Sequence, residues 1–414
     1  MPNPSHNFTK NFQQGLTVER LDAASDGETA FFTGLLRRAM DSRGVAMAVN
    51  EEKRRIADSW IPPARREPDF NQLLKVLNKQ KPDRPTLFEI VLNDRLCDRL
   101  AGHDVAERLK KIDQTTPEGA LEANSIRNAH AFRNAGYDYA TFRTQGLFRF
   151  PAGERRSDSS ASLNEGFVIS DRDSFERYPW PDPDASAITP YMDLMAAEMG
   201  PGMKLMPCLP AGVLENMASL LGYDNLCFLT VDDPELLRNV ADAVGSRLLR
   251  YTEMAVRHPA TGVMMLNDDW GFATQTRLAP ADMRKYVFPW HKRMVAAAHA
   301  AGRPAVLHSC GCFAGVIEDI IEDMRFDGRH SYEDKILPVE DAYDRYGGRI
   351  AILGGIDIDF MCRAPLAEVT ARSRRMVERA AAAHGGYGLG TGNSVPSYMA
   401  DERYLAMVDA VIER

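Results

Sequence analysis

PAVLHSCGCFAG, residues Pro304–Gly315, runs from four apolar or small residues straight into a histidine, two cysteines and two glycines. The first half has the texture of a buried strand, and the groups able to do chemistry sit at its C-terminal end. Seven other runs share that texture: TLFEIVL (86–92), YDYATFR (137–143), KLMPCLP (204–210), GVMMLND (262–268), MRFDGRH (324–330), RIAILGG (349–355) and GYGLGTG (386–392). Helical periodicity separates most neighbours. GVIEDIIEDM puts Val316, Ile317, Ile320, Ile321 and Met324 on one stripe, and LAEVTARSRRMVERAAAAHGG reads as a long helix stopped by glycine. Eight strands with helical crossovers predict an α/β protein, a (β/α)8 TIM barrel. A doubly wound dinucleotide fold would want G-x-G-x-x-G after its first strand, and none is there.

Upstream, AFFTGLLRRAM and FNQLLKVLNKQ are amphipathic pieces around the charged NEEKRRIADSWIPPARREPDF. Residues 1–70 therefore read as a helical N-terminal extension and 71–414 as the barrel. A long insertion at about 144–200 is expected to cover the barrel mouth, because so long a connection is usually functional. The 414 residues carry 44% hydrophobic and 26% charged side chains and a net charge of −8. That balance argues against nucleic-acid or anionic-membrane partners, which would select a basic face. No run of about 18 apolar residues appears, nor an apolar leader, so a cytoplasmic protein acting on a small molecule is expected. Six sparse cysteines predict free thiols and no disulfide framework.

Catalytic groups of such a barrel belong at the C-terminal strand ends. Those ends hold Glu89, Arg143, Asp268, His308, Cys310, Arg329, His330 and, after the last strand, Thr391 and Asn393. His308 and Cys310 lie two apart on a strand, so both point to one side. Imidazole nitrogen with thiolate sulfur suits Zn²⁺; a buried thiol beside a hydrogen-bonded histidine fits the same spacing. Asp268 and Asp269 present one carboxylate to each side, and Asp268 is taken as a general base or proton-holding acid, with a capping role as the alternative. His330 is a candidate acid–base group or ligand. Glu89 sits inside an apolar run, where a carboxylate needs a function or a partner. Arg143, Arg329 and Asn393 are the expected substrate contacts.

The segments HSCG, ILGGIDI, LAPADMRKYVFPWHKRMVAAAHAAG, LPAGVLENMASLLGYDNLCFLTVDDPELL, EGFVISDRDSFERYPWPDPD and GNSVPSYMADERYLAMVDAVIE resemble, in order, the uroporphyrinogen decarboxylase superfamily. The resemblance implies a (β/α)8 barrel, a usual homodimer and one of two chemistries. One is cofactor-free decarboxylation of a porphyrinogen. The other is methyl transfer between a small donor or thiol and a corrinoid held by a partner protein, with zinc on H-x-C and a further cysteine near the last strand. His308 and Cys310 match the first pair, whereas Thr391 stands where the further cysteine is expected; Glu89, Asp268, His330 or Cys312 could substitute. The decarboxylase motifs fit less well, because FEIVLNDRLCDRL displaces its arginines and FRTQG lacks its aspartate. The resemblance thus implies a zinc-dependent methyltransferase, with decarboxylation and a non-catalytic ligand-binding barrel as alternatives.

Overall fold

Every apolar run contributes a short strand or a ladder. In chain order they are β1 (Tyr139–Phe142), β2 (Lys204–Pro207), β3 (Met264–Asn267), β4 (Ala305–His308), β5 (Gly328–His330), β6 (Ala351–Leu353) and β7 (Tyr387–Gly388). The first run contributes a single ladder residue, Leu87, paired in parallel with Leu389 just beyond β7. The structure is a computed structural model that describes residues 60–144, 146–153, 164–186 and 188–414. The chain divides between Ser59 and Trp60. Up to Ser59, the expected helical extension lies outside the described residues.

All pairings between the named strands are parallel and follow sequence order. β1 pairs with β2, and β3 to β7 form one continuous ladder in which Asn267 sits opposite His308 and His308 opposite His330. The Leu205–Thr261 and Cys208–Met265 bridges join β2 to β3. Helices such as Pro117–Ala135, Pro234–Arg257, Phe288–Ala300 and Leu366–Ala382 make the crossovers. This is the (β/α)8 barrel, and its strands are buried on both faces, as parallel strands covered by helices must be.

One seam lacks a backbone ladder, that between the Leu87 segment and β1. A side chain closes it. The Tyr139 hydroxyl accepts from the Glu89 N–H at 2.7 Å and donates to the Glu89 carbonyl at 2.6 Å. Below it, buried Asp138 accepts from Arg84 at 2.7 Å. Tyr139→Phe would leave two buried backbone groups unpartnered. We expect it to cost about 1–3 kcal/mol, read as a lower urea midpoint at unchanged slope.

The start of the 144–200 connection reaches the barrel mouth. Phe148 stacks on Tyr251 at 5.7 Å, and Gly146, Phe148 and Arg149 line the cavity described below. Within the rest of the connection, the Trp180–Asp184 stretch packs outward on the helix Pro234–Arg257. Arg247 lies under the Trp180 ring and donates to the Pro181 carbonyl, and Arg250 pairs with Asp184. Among the described residues no helix is long and apolar enough to cross a membrane.

Candidate active site

The C-terminal ends of β3, β4, β5 and β7 bring His308, Cys310, His330 and Asn393 together. The proton arrangement follows from one carbonyl. His330 Nε2 lies 3.0 Å from the Thr391 carbonyl oxygen, which can only accept, so Nε2 carries the hydrogen. Burial holds His330 well below the usual histidine range, with the neighbouring His308 adding to the effect. The ring is neutral, so its Nδ1 is an acceptor. His308 Nδ1, 2.8 Å away, must donate to it. This leaves the lone pair of His308 Nε2 free, 3.9 Å from Cys310 Sγ. Burial, then the Arg329 charge, lowers the His308 pKa to about 4, so that lone pair persists at neutral pH.

Cys310 is pushed up by burial and by the Asp269 charge, and pulled down by the Asn393 amide. Asn393 Nδ2 lies 3.1 Å from the sulfur. Its Oδ1 accepts the Ser394 N–H at 2.7 Å, which fixes the amide orientation. Glu89 lies behind this group, fully buried. Its Oε2 accepts from the Thr391 N–H at 3.2 Å and meets Thr391 Oγ1 at 2.8 Å. Thr391 Oγ1 also contacts the Asn393 carbonyl, and its one proton cannot serve both oxygens. Burial raises the Glu89 pKa to about 8 despite these bonds. A protonated Glu89 that donates to Thr391, which then donates to Asn393, satisfies every group.

Two expected site residues are occupied elsewhere. Asp268 accepts the Leu214 and Glu215 backbone N–H groups, both at 3.0 Å, and contacts His291 Nε2 at 2.9 Å. It caps the helix Val213–Leu221 and is absent from the cavity lining; its neighbour Asp269 faces the cavity. Arg329 is likewise removed from substrate contact. It is fully buried, donates to the Ser331 and Ser309 carbonyls, and lies 3.3 Å from the centre of the Phe313 ring. Among the described residues no carboxylate pairs with it, so its charge acts on the histidines and the thiol.

Two cavities of about 550 Å³ each meet at Cys310. One is lined by Arg143, Arg149, Glu215, Asn267, Asp269 and His308. The other is lined by Tyr332, Lys335, Asp357, Cys362, Asn393 and Tyr398. Glu215 is missing from the sequence-derived set. Burial, then the Asp268 and Asp269 charges, raises its pKa. Its signal was the spacing Gly212-x-x-Glu215 ahead of an apolar run, because Glu215 Oε2 accepts the Gly212 N–H at 2.9 Å in a capping arrangement.

The family profile described as uroporphyrinogen decarboxylase (URO-D) matches residues 165–414, more than half of the chain. The chain belongs to the uroporphyrinogen decarboxylase family. Among solved structures, this URO-D member is similar to a methyltransferase from Methanosarcina mazei. The identity is 16% and the TM-score 0.60, with 83% of this chain and 98% of that one covered. A Listeria monocytogenes structure named for vitamin-B12-independent methionine synthase aligns over 80% of this chain and 96% of its own, at 12% identity and a TM-score of 0.48. The first likeness shows a shared fold, and the second adds nothing to the argument. No curated protein sequence matches this URO-D chain.

The donor set can be tested against zinc. Bond lengths of about 2.0–2.1 Å to nitrogen and 2.3 Å to sulfur place tetrahedral ligands roughly 3.6 Å apart. The 3.9 Å between His308 Nε2 and Cys310 Sγ is close to that span, and the His308–His330 bond is the outer support a ligating imidazole uses. Thr391 is committed to Glu89 and Asn393. Among the described residues no third His, Cys, Asp or Glu completes a metal-binding group. Their separation is compatible with zinc, which His308 and Cys310 would hold as two of its donors.

Proposed function

We propose that this URO-D protein is a methyltransferase whose reacting centre is the His308–Cys310 pair, with zinc as its cofactor. The observation that carries the reading is the free Nε2 lone pair of His308 aimed at the Cys310 sulfur. A small methyl donor or thiol and a corrinoid carried by a partner protein are the proposed reactants. Two cavities meeting at one sulfur suit a transfer between two partners. His330 orients His308, and burial with the Arg329 charge keeps its ring neutral. The Asn393 N–H donates toward the sulfur, and buried Arg329 adds positive potential; both favour the thiolate against the cost of burial. When bound, zinc would lower the pKa of a thiol or polarise a methyl-bearing heteroatom. Decarboxylation with Asp268 as the acid is disfavoured, because that carboxylate is spent on a helix N-terminus and His291.

Metal analysis of the purified, unchelated protein by mass spectrometry tests the reading. About one zinc per chain is expected, falling at least tenfold in His308→Ala/Cys310→Ala while the far-ultraviolet dichroism is retained. Folded protein without metal in either sample would sink the zinc assignment.

A further inference from the structure

The cavity on the β1–β4 side contains polar groups that the protein leaves unmatched. Asn267 Oδ1 and Asp269 Oδ1 are buried acceptors without a hydrogen-bond partner. Glu215 uses Oε2 on the Gly212 N–H and makes no bond to a described residue through its other oxygen. The second Asp269 oxygen takes Arg277. Buried acceptors are nearly always paired, so the unmatched Asn267 and Asp269 oxygens beside one cavity, with the half-buried Glu215 carboxylate next to them, call for a donor from outside the chain. Arg143 and Arg149 line the same cavity and hydrogen-bond to no described residue. They enter from the segment after β1, whereas the three oxygens come from β3 and from the helix after β2. The cavity therefore asks for hydrogen-bond donors at one end and negative charge at the other.

We infer that this cavity binds a small zwitterion, an N–H-bearing ammonium facing Asn267, Asp269 and Glu215 and a carboxylate, sulfonate or phosphonate on Arg143 and Arg149. A single-charged ligand would leave one set unmatched. The inference deepens the methyltransferase reading by naming the chemical class of its small substrate. A neutral methyl donor or a purely anionic thiol would not satisfy the three oxygens. His308 and Cys310 line the same cavity, so a heteroatom of the bound zwitterion would lie within the reacting centre.

Calorimetric titration of the full-length protein with glycine, β-alanine, 4-aminobutyrate and 6-aminohexanoate tests this, with butylamine and butyrate as single-charge controls. At least one zwitterion is expected to bind tenfold or more tightly than both controls. Arg143→Gln/Arg149→Gln, two exposed positions, should weaken it at least tenfold. Glu215→Gln keeps the cap through its amide oxygen and should weaken the zwitterion without affecting butyrate. Binding is read without turnover and on metal-free protein, so it can succeed where methyl transfer fails, which separates this inference from the fate of the methyl-transfer reading. Butyrate binding as tightly as every zwitterion, binding indifferent to the arginine pair, or no binding by any member of the series would each overturn the inference.

Discussion

Asp268→Ala is expected to destabilise the barrel by about 3–5 kcal/mol, whereas Asp269→Asn should stay within about 1 kcal/mol of the parent. The two carboxylates are adjacent in sequence and opposite in role. Asp268 is 1% exposed and holds two helix N-terminal amides and His291. Its removal leaves those two amides and a buried imidazole without partners, each at the cost of desolvation. The carboxylate packs so closely on the helix start that a Cβ at Gly212 would lie 2.1 Å from the Asp268 Cγ. Asp269 loses little on amidation, because one oxygen is unmatched and the other can still accept from Arg277. Urea unfolding of the two variants side by side checks the contrast. Equal losses would show that the capping network is not what Asp268 supplies.

That pair also marks the limit of what could be read from the chain. The strands were legible because parallel strands buried on both faces leave short apolar runs, and all eight runs yield a strand or ladder at the expected place. His308 and Cys310 were legible because two-residue spacing fixes a common side. Which of two consecutive aspartates turns inward depends on the pleat at the strand end, and one residue of register reverses the answer. Arg329 fails for the same reason, lying beside His330 but turned onto Phe313 and Tyr332. The seam at Tyr139 and the Glu89–Thr391 contact join residues far apart in the chain, the latter 302 positions apart. No local pattern encodes them; closure of the ring does. Thr391 looked like a missing ligand, and in the fold it is a link between a buried acid and the Asn393 loop.

Glu89→Gln turns that link into a measurable pH dependence. Burial lifts the Glu89 pKa from its ordinary 4.5 to about 8 in the fold. Between those values the unfolded chain releases the proton and the native chain keeps it. The native state binds more protons there, so its stability falls as pH rises from about 4.5, and the loss levels off above about 8. A shift of this size corresponds to roughly 4 kcal/mol by pH 8, taking about 1.4 kcal/mol per pKa unit. Glutamine matches the shape of the protonated acid: its oxygen at the Oε1 place accepts the Ile90 N–H and its amide N–H at the Oε2 place donates to Thr391 Oγ1, while the Thr391 N–H loses its 3.2 Å acceptor. It has no proton to lose. The variant should therefore lie about 1–3 kcal/mol below the parent at pH 5, the cost of the unpartnered Thr391 N–H, and gain roughly 4 kcal/mol on it by pH 8, seen as urea midpoints whose difference changes with pH. Parallel midpoints across that range would mean Glu89 is ionised in the native barrel. The proton would then have to come from Thr391 alone, and the Asn393 carbonyl would be left without it. Because Asn393 donates to the Cys310 sulfur, the protonation of a carboxyl buried behind the strand ends sets the geometry of the proposed reacting thiol.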